Sequence, residues 1–201
     1  DIDHESFYAN LLFNSIIGNT KNKFKAGINF SYDQYIEAVD TFNFNRADNS
    51  AGAFFEYSYD NLENFSLVSG VRFDTHNRLG NFITPRVHIR YLPKENIIIR
   101  ASVGSGRKAA NIFAENQTLF GTNRIISITQ NGGDIYGLNP EKASNYGVSI
   151  RKIFSLWGGN GDITADYYVT DFTDQVVVDW EEKGRISFYN LNGKSRANSF
   201  Q

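Results

Sequence analysis

Cysteine and methionine are both absent from this 201-residue chain. Without cysteine there is no disulfide framework, no thiol nucleophile and no Cys-ligated metal site. Without methionine, Asp1 is not a natural first residue, so we expect any signal peptide to lie outside this sequence. The 20 basic and 22 acidic residues are mixed along the chain and nearly balance, so no basic face indicates a nucleic-acid partner.

Long apolar runs are also missing. No segment approaches the roughly 20 consecutive apolar residues that a membrane helix requires. Strands of a membrane barrel escape this test, because lipid-facing and interior-facing side chains alternate along them. The chain is rich in aromatic side chains instead, with 17 Phe and 11 Tyr. This content exceeds what a small soluble core usually requires and is typical of the aromatic girdles of a membrane barrel.

Apolar and polar side chains alternate along most of the chain. Between residues 24 and 33, apolar side chains at the even positions alternate with polar or small ones at the odd positions. Because successive side chains of a β-strand point to opposite faces, this pattern predicts strands with one apolar and one polar face. We predict no helix and nine strands, at about residues 5–16, 24–36, 50–60, 65–75, 84–92, 97–104, 143–154, 162–179 and 185–191.

Short and long connections alternate between these strands. Tight, turn-forming sequences occur at residues 18–23, 61–64, 93–96 and 158–161. The connections near 37–49, 76–83 and 105–142 are longer and polar. Outer-membrane barrels have short turns on the periplasmic side and long loops outside, so the alternation assigns each connection to one side of a membrane. The short connection near 181–184 departs from this rule.

Position parity predicts which side chains face lipid and which face the barrel interior. The predicted lipid-facing residues are Phe65, Leu67, Val71, Phe73, Val87, Ile89, Tyr91, Ile163, Ala165, Tyr167 and Val169. The predicted interior-facing residues are Ser66, Arg72, Asp74, His76, Arg86, His88, Arg90, Arg100, Thr164, Asp166, Tyr168 and Thr170. Charged groups can pair and stay hydrated in such an interior, whereas an arginine that faces lipid at mid-membrane would cost roughly 2–4 kcal/mol.

Five segments have an order and spacing that are more specific than any single motif. They are residues 84–91 (TPRVHIRY), 99–111 (IRASVGSGRKAAN, followed by AEN at 114–116), 138–147 (LNPEKASNYG), 166–179 (DYYVTDFTDQVVVD) and 188–200 (FYNLNGKSRANSF). Together they resemble the later barrel strands of TonB-dependent outer-membrane receptors, particularly those of Bacteroidetes.

The resemblance implies an all-β fold, in which residues 1–201 form part of an antiparallel transmembrane β-barrel. About nine of its roughly 22 strands would be present, without the N-terminal plug domain. The implied function is an active-transport receptor of the bacterial outer membrane for a scarce nutrient, by default an iron–siderophore complex, with cobalamin or a glycan as competitors. The implied partners are the TonB complex, which would bind an N-terminal segment absent here, outer-membrane lipid, the nutrient and a surface lipoprotein.

The connection at 105–142 is the candidate ligand-binding segment, because outer loops of the family meet the incoming ligand and loops this long are usually functional or disordered. Its candidate ligand-binding residues are Arg107, Lys108, Asn111, Glu115, Asn116 and Arg124. The candidate residues facing the interior and the plug are Arg72, Asp74, Arg86, His88, Arg90 and Arg100. As an alternative, each of these groups only solvates its segment or pairs with a neighbour.

No pattern predicts catalysis, a resident cofactor or a metal site. The three histidines lack a second ligand at metal-binding spacing, and the glycines at 104 and 106 precede no predicted helix, which argues against a dinucleotide site. Two alternatives to the receptor remain open. One is a passive porin or another small outer-membrane barrel, and the other is a soluble β-sandwich binding module.

Overall fold

Nine strands of this chain form one continuous antiparallel sheet. The computed structural model describes residues 2–39, 42–156 and 158–201. Its strands are β1 (Ile2–Ile16), β2 (Asn22–Val39), β3 (Phe42–Asp60), β4 (Phe65–His76), β5 (Gly80–Lys94), β6 (Ile97–Lys108), β7 (Ile125–Ile128), β8 (Glu141–Leu156), β9 (Gly159–Thr173), β10 (Val176–Asp179), β11 (Arg185–Asn190) and β12 (Lys194–Phe200). The large sheet has the order β1-β2-β3-β4-β5-β6-β8-β9-β12. The predicted all-β fold of about nine barrel strands is confirmed.

The strand register gives this sheet one apolar and one polar face. Directly opposed residues share a face, and one such row across the sheet consists of Leu11, Ile28, Ala53, Phe73 and Ile83. Four of these five side chains are large and apolar, and all four are 47–67% exposed. A continuous sheet with an exposed apolar face is not a β-sandwich, in which such faces pack on each other. The soluble sandwich alternative is therefore wrong.

The hydrophobic core lies above one end of the sheet. It consists of buried side chains from the segments between β6 and β8 and between β9 and β12, namely Ala110, Ile112, Phe113, Ile126, Ile135, Tyr136, Leu138, Ile186 and Phe188. Within it, β7, β11 and β10 form a small second sheet, in which β11 pairs with β7 in parallel and with β10 antiparallel. The loops thus have a packed structure of their own.

Two predicted loops are strand instead. β2 and β3 extend through most of residues 37–49, with residues 40 and 41 outside the described residues, and β4 and β5 leave only residues 77–79 between them. Asn43, Asn45 and Asn49 occupy the face that is apolar lower in β3. Because a β-ladder is held by backbone hydrogen bonds, it continues where the apolar alternation stops. The prediction stopped with the alternation.

Several other details of the prediction are wrong. The run at 162–179 is interrupted at Asp174, which has φ = 58°, and the run at 185–191 belongs to the small sheet, while β12 is the ninth strand of the large one. The connection between β9 and β12 is consequently long, and 181–184 is only a turn inside it, so the exception to the loop rule disappears. One α-helical turn (α1, Ile112–Glu115) and one 3₁₀ turn (Gln117–Phe120) also occur. Both are too short to produce a helical periodicity.

No helix in the described part of the chain is long and apolar enough to cross a membrane.

Candidate ligand-binding rim and barrel interior

Arg46 of β3 joins the top of the large sheet to the long connection between β6 and β8. Its guanidinium donates hydrogen bonds to Glu37 (3.0 Å) and Asp48 (3.0 Å) within the β2–β3 hairpin. It also donates to the Tyr136 hydroxyl (2.5 Å) and to the Asn111 side-chain oxygen (2.5 Å) of the connection. The side chains of Arg46, Glu37 and Asp48 are 6%, 0% and 9% exposed. A buried and charged anchor therefore holds this loop.

Aromatic packing reinforces the anchor. The rings of Phe44, Phe113 and Tyr136 lie 5.0–5.5 Å apart, two of the three pairs in edge-to-face geometry. The Arg46 guanidinium lies 4.0 Å from the centre of the Tyr35 ring. Desolvated cation–π and edge-to-face contacts each contribute on the order of 1 kcal/mol. They combine with the hydrogen bonds to hold the loop in one arrangement.

The Tyr136 hydroxyl has two roles in the anchor. It accepts a hydrogen bond from Arg46 and donates one to the Glu37 carboxylate, 2.5 Å away. Burial and the hydrogen bond to Glu37 raise the pKa of Tyr136 well above the usual value of a tyrosine. The phenol is therefore protonated at neutral pH and keeps its proton on the Glu37 side.

The six predicted ligand-binding residues do not form one cluster. Asn111 is held by Arg46, and Asn116 donates to the Ile112 carbonyl (2.9 Å) at the end of α1. Both therefore shape the loop rather than extend from it. Lys108 and Glu115 form an exposed ion pair (2.8 Å) with each other. Arg124 is exposed and donates to the Trp180 carbonyl (3.0 Å), which ties the two outer segments together.

Arg107 differs from the other five candidates. Its guanidinium lies 5.3 Å from the centre of the Phe82 ring, a cation–π contact at the upper end of β5 and β6. Among the described residues, no carboxylate lies within 4.0 Å of this guanidinium. Arg107 therefore keeps an available charge beside an aromatic ring at the loop end of the sheet.

Glycines on the polar face of the large sheet leave space for charged side chains of the neighbouring strands. Arg72 chelates Asp74 (2.6–2.9 Å) and donates to Asn29 (2.9 Å), and a Cβ at Gly52, between Asn29 and Asp74 in the register, would lie 2.2 Å from the Asp74 carboxylate. Only glycine leaves space for this network. The interior-facing candidates Arg72 and Asp74 are thus brought together as predicted.

Arg86 pairs with Glu56 in the same way. Gly70 lies between the two in the register, so that the arginine side chain crosses β4 to the carboxylate of β3. Lys25 adds a second, longer contact to Glu56 at 3.9 Å. The Glu56 side chain is only 10% exposed. A carboxylate that sequence analysis did not select therefore neutralises this candidate.

The remaining interior-facing candidates are His88, Arg90 and Arg100. The register puts Arg90 directly opposite Arg100 on the polar face, with His88 opposite Ser102 two positions along. None of the three side chains forms a hydrogen bond or an ion pair with another described residue. They form an unpaired basic cluster toward the end of the sheet with the short turns.

The other two histidines have structural contacts. His4 stacks on Tyr35 with ring centres 4.3 Å apart and lies 3.1 Å from the Asp33 carboxylate. His76 accepts hydrogen bonds from the backbone N–H groups of residues 78 and 79 and so stabilises the β4–β5 turn. Among residues 2–39, 42–156 and 158–201, no three histidine or carboxylate groups are clustered closely enough to hold a metal ion.

Sequence reasoning missed Arg46, Glu37, Asp48 and Tyr136. The first three lie in the segment that we predicted to be a loop, where position parity was not applied. If β2 and β3 are extended through this segment, Glu37, Arg46 and Asp48 fall on the polar face. Position parity could therefore have predicted the charged part of the anchor. Nothing near Tyr136 in the sequence indicates that this residue contacts Arg46 and Glu37.

Comparison with known proteins identifies the family. A family model described as a TonB-dependent receptor-like β-barrel matches residues 2–200. The chain belongs to this receptor family. It is therefore an outer-membrane protein of a Gram-negative bacterium, with its apolar face toward lipid and its polar face toward the barrel interior. No curated protein sequence matches the chain.

Solved receptor structures are similar to the chain over nearly its whole length. The siderophore receptor PirA from Pseudomonas aeruginosa has a TM-score of 0.73 at 13% identity, and 99% of this chain covers 36% of that one. A mutant ferric enterobactin receptor from Pseudomonas aeruginosa in complex with enterobactin has a TM-score of 0.72 at 12% identity, and the match covers 99% of this chain and 33% of that one. The FrpB iron transporter from Neisseria meningitidis has a TM-score of 0.62 at 16% identity, and the match covers 99% of this chain and 36% of that one. The chain thus spans about a third of the length of these receptors.

Proposed function

We propose that this chain forms part of the wall and outer loops of a receptor that binds a ferric siderophore and imports it with energy supplied through TonB. The observation that carries the proposal is the family match over residues 2–200. Similar solved structures include a siderophore receptor, a ferric enterobactin receptor and an iron transporter, which favours iron among the nutrients of the family. Cobalamin and a glycan are the competing ligands.

The loop end supports binding of an anionic ligand. The anchor around Arg46 holds the connection between β6 and β8 against the sheet, so that a binding surface would be ordered before ligand arrives. Arg107 presents a guanidinium beside the Phe82 ring, without a carboxylate partner among the described residues. An anionic chelate with aromatic groups would bind the Arg107 guanidinium through its charge and through its rings, since guanidinium groups bind oxyanions and stack on aromatic rings. We therefore assign Arg107 the leading role among the six candidates.

In this proposal the barrel acts by binding and gating rather than by catalysis. Residues 1–201 would form part of the barrel domain, and the plug and the segment that contacts TonB would belong to the rest of the receptor. Ligand binding would shift the populations of loop and plug states, provided that the ligand prefers one of them. A surface lipoprotein would be a further partner at the loops, where Arg124 and Trp180 join the two outer segments.

Uptake of radioactive iron tests the proposal. The full-length receptor is expressed in a Gram-negative host that lacks its own siderophore receptors, and cells are supplied with a panel of ferric siderophores. We expect saturable uptake of at least one complex that disappears when tonB is deleted. Arg107→Ala is expected to raise the apparent KM at least tenfold, while Arg185→Ala, which removes an exposed arginine of β11, changes it less than twofold. Uptake of cobalamin or a glycan, with no ferric siderophore transported, would refute the iron assignment.

Passive diffusion is tested by the same cells. A porin admits small solutes without saturation and independently of TonB. Uptake that rises linearly with concentration and persists in the tonB deletion would show that the protein is a passive porin and not an active receptor.

A further inference from the structure

Two arginines of the barrel interior lack the counter-ion that the others have. Arg90 and Arg100 are direct cross-strand neighbours on the polar face, and like charges in this arrangement destabilise a sheet. No carboxylate of the described residues lies within 4.0 Å of either guanidinium. The described part of the wall therefore has two adjacent positive charges that it does not neutralise itself.

Four other arginines lie on the polar face, among them Arg151 of β8, which shares the face of Arg100 by register, and each of the four has its own carboxylate. Arg46 pairs with Glu37 and Asp48, and Arg72 pairs with Asp74. Arg86 pairs with Glu56, and Arg151 lies 3.0 Å from Asp162. Direct opposition of Arg90 and Arg100 thus departs from the charge pattern of the same face, and an anion supplied from outside the described residues would restore that pattern.

A groove surrounds the two arginines. It has a volume of about 540 Å³, and its lining includes His88, Arg90, Arg100, Asp166 and Tyr168. Asp166 is two strands away from Arg100 and forms no ion pair with it. Even with Asp166 ionised and His88 neutral, the groove has a net charge of +1. Its volume exceeds that of a single side chain, so it can hold a short stretch of polypeptide.

The wall of the groove depends on a glycine. Gly147 lies between Ser102 and Tyr168 in the register, and a Cβ at residue 147 would lie 2.7 Å from the Tyr168 ring and 2.8 Å from the Ser102 hydroxyl. The ring therefore lies across the sheet instead of standing up from it. This leaves space above Arg100 for an occupant that also contacts an aromatic surface.

The position of the groove selects its occupant. Arg90 and Arg100 lie close to residues 95–96, the short turn between β5 and β6, whereas the loops that would meet an external ligand are at the opposite end of the sheet. A group that occupies this end of the interior permanently is the plug of the receptor. This inference rests on the proposed function, since it requires a plugged barrel.

We propose that the groove binds an acidic segment of the plug, with one aspartate or glutamate carboxylate bridging Arg90 and Arg100. Arginine binds carboxylates through two parallel N–H···O bonds, so one carboxylate accepts hydrogen bonds from both guanidinium groups. The contact would hold the plug to β5 and β6.

Photo-crosslinking in the full-length receptor, in its native outer membrane, tests this contact. Tyr168 is replaced by p-benzoylphenylalanine, which keeps an aromatic ring at the edge of the groove. The matched control carries the same group at Tyr167, which faces lipid. We expect the probe at 168 to crosslink to a peptide outside residues 1–201 that contains Asp or Glu, and the probe at 167 not to do so. Crosslinks from 168 only to other barrel segments would overturn the proposal.

Charge neutralisation tests the role of the arginines. The double variant Arg90→Gln with Arg100→Gln is expected to lower the yield of this crosslink at least tenfold, and Arg151→Gln, which removes a guanidinium that has its own carboxylate, less than twofold. An unchanged yield in the double variant would overturn the proposal. If siderophore uptake were weakened at the same time, the groove would bind the transported anion instead of the plug.

The two proposals fail in different ways. Crosslinking does not require transport, so a receptor that crosslinks as expected but imports no ferric siderophore would refute the proposed function and leave the groove assignment intact. A receptor that imports iron but shows no plug crosslink would refute the groove assignment and leave the proposed function intact.

Discussion

Arg46→Ala should release the connection between β6 and β8 from the sheet. The substitution leaves the Glu37 carboxylate, whose side chain is 0% exposed, with the Tyr136 hydroxyl as its hydrogen-bond partner among the described residues. Removing one partner of a buried ion pair typically costs about 3–5 kcal/mol. Asp48 is affected less, because Arg78 still donates to it at 2.8 Å. We therefore expect this loss of about 3–5 kcal/mol to weaken the association of the loop with the sheet.

Hydrogen exchange measures this cost. A change of about 3–5 kcal/mol raises the opening constant of the loop roughly 100-fold to several thousandfold, since each 1.4 kcal/mol is a factor of ten. In the full-length receptor, amides of residues 109–140 should exchange faster by this factor. Amides of β6 and β8 serve as an internal reference, because their hydrogen bonds lie within the sheet.

Two further variants separate charge burial from loss of packing. Arg78→Ala should accelerate exchange in residues 109–140 less than tenfold, since Asp48 retains Arg46. Combining Arg46→Met with Glu37→Leu removes two of the three buried charges and leaves Asp48 paired with Arg78. It should restore much of the protection because well-packed apolar replacements of buried ion pairs are often neutral. The reasoning is refuted if exchange in 109–140 rises less than tenfold in Arg46→Ala, or if β6 and β8 accelerate equally.

Three shorter predictions follow from the same geometry. Gly52→Ala should destabilise the barrel by about 1–3 kcal/mol, as measured by urea unfolding in detergent, and Gly104→Ala, whose added Cβ finds no atom closer than 3.7 Å, should change it by less than about 0.5 kcal/mol; equal effects would contradict the network around Gly52. Because the pKa of Tyr136 is raised in the folded loop, the stabilisation is complete below the ordinary tyrosine pKa of about 10 and decreases as pH rises above it. Proteolysis of residues 109–140 should thus accelerate between pH 9 and 11 in the wild type but not in Tyr136→Phe, and equal acceleration in both would exclude this phenol as the cause. Ile28→Arg places a charge in the middle of the lipid-facing band and should cost roughly 2–4 kcal/mol of unfolding free energy; an unchanged midpoint would mean that this face does not meet lipid.

The charged anchor shows where a local pattern loses its information. The strand predicted from the alternation ends at residue 36, just before Glu37, and Arg46 lies on the facing strand β3, where Asn43 and Asn45 interrupt the apolar alternation. There the strands are maintained by pairing with each other and by packing against Tyr136, 90 residues after Arg46. Neither cause is visible in a window of ten residues.

The sequence by itself determined the two faces of the large sheet. Because the side-chain period of a strand is set by backbone geometry, the alternation is enough to separate a lipid face from an interior face and to put Arg72, Asp74, Arg86, Arg90 and Arg100 on the same side. Only the tertiary structure decided which of these charges are neutralised, because that depends on register and on glycines such as Gly52 and Gly70, which let side chains cross a strand. It also decided the fold of the outer loops, whose buried side chains come from segments far apart in the chain and obey no common period.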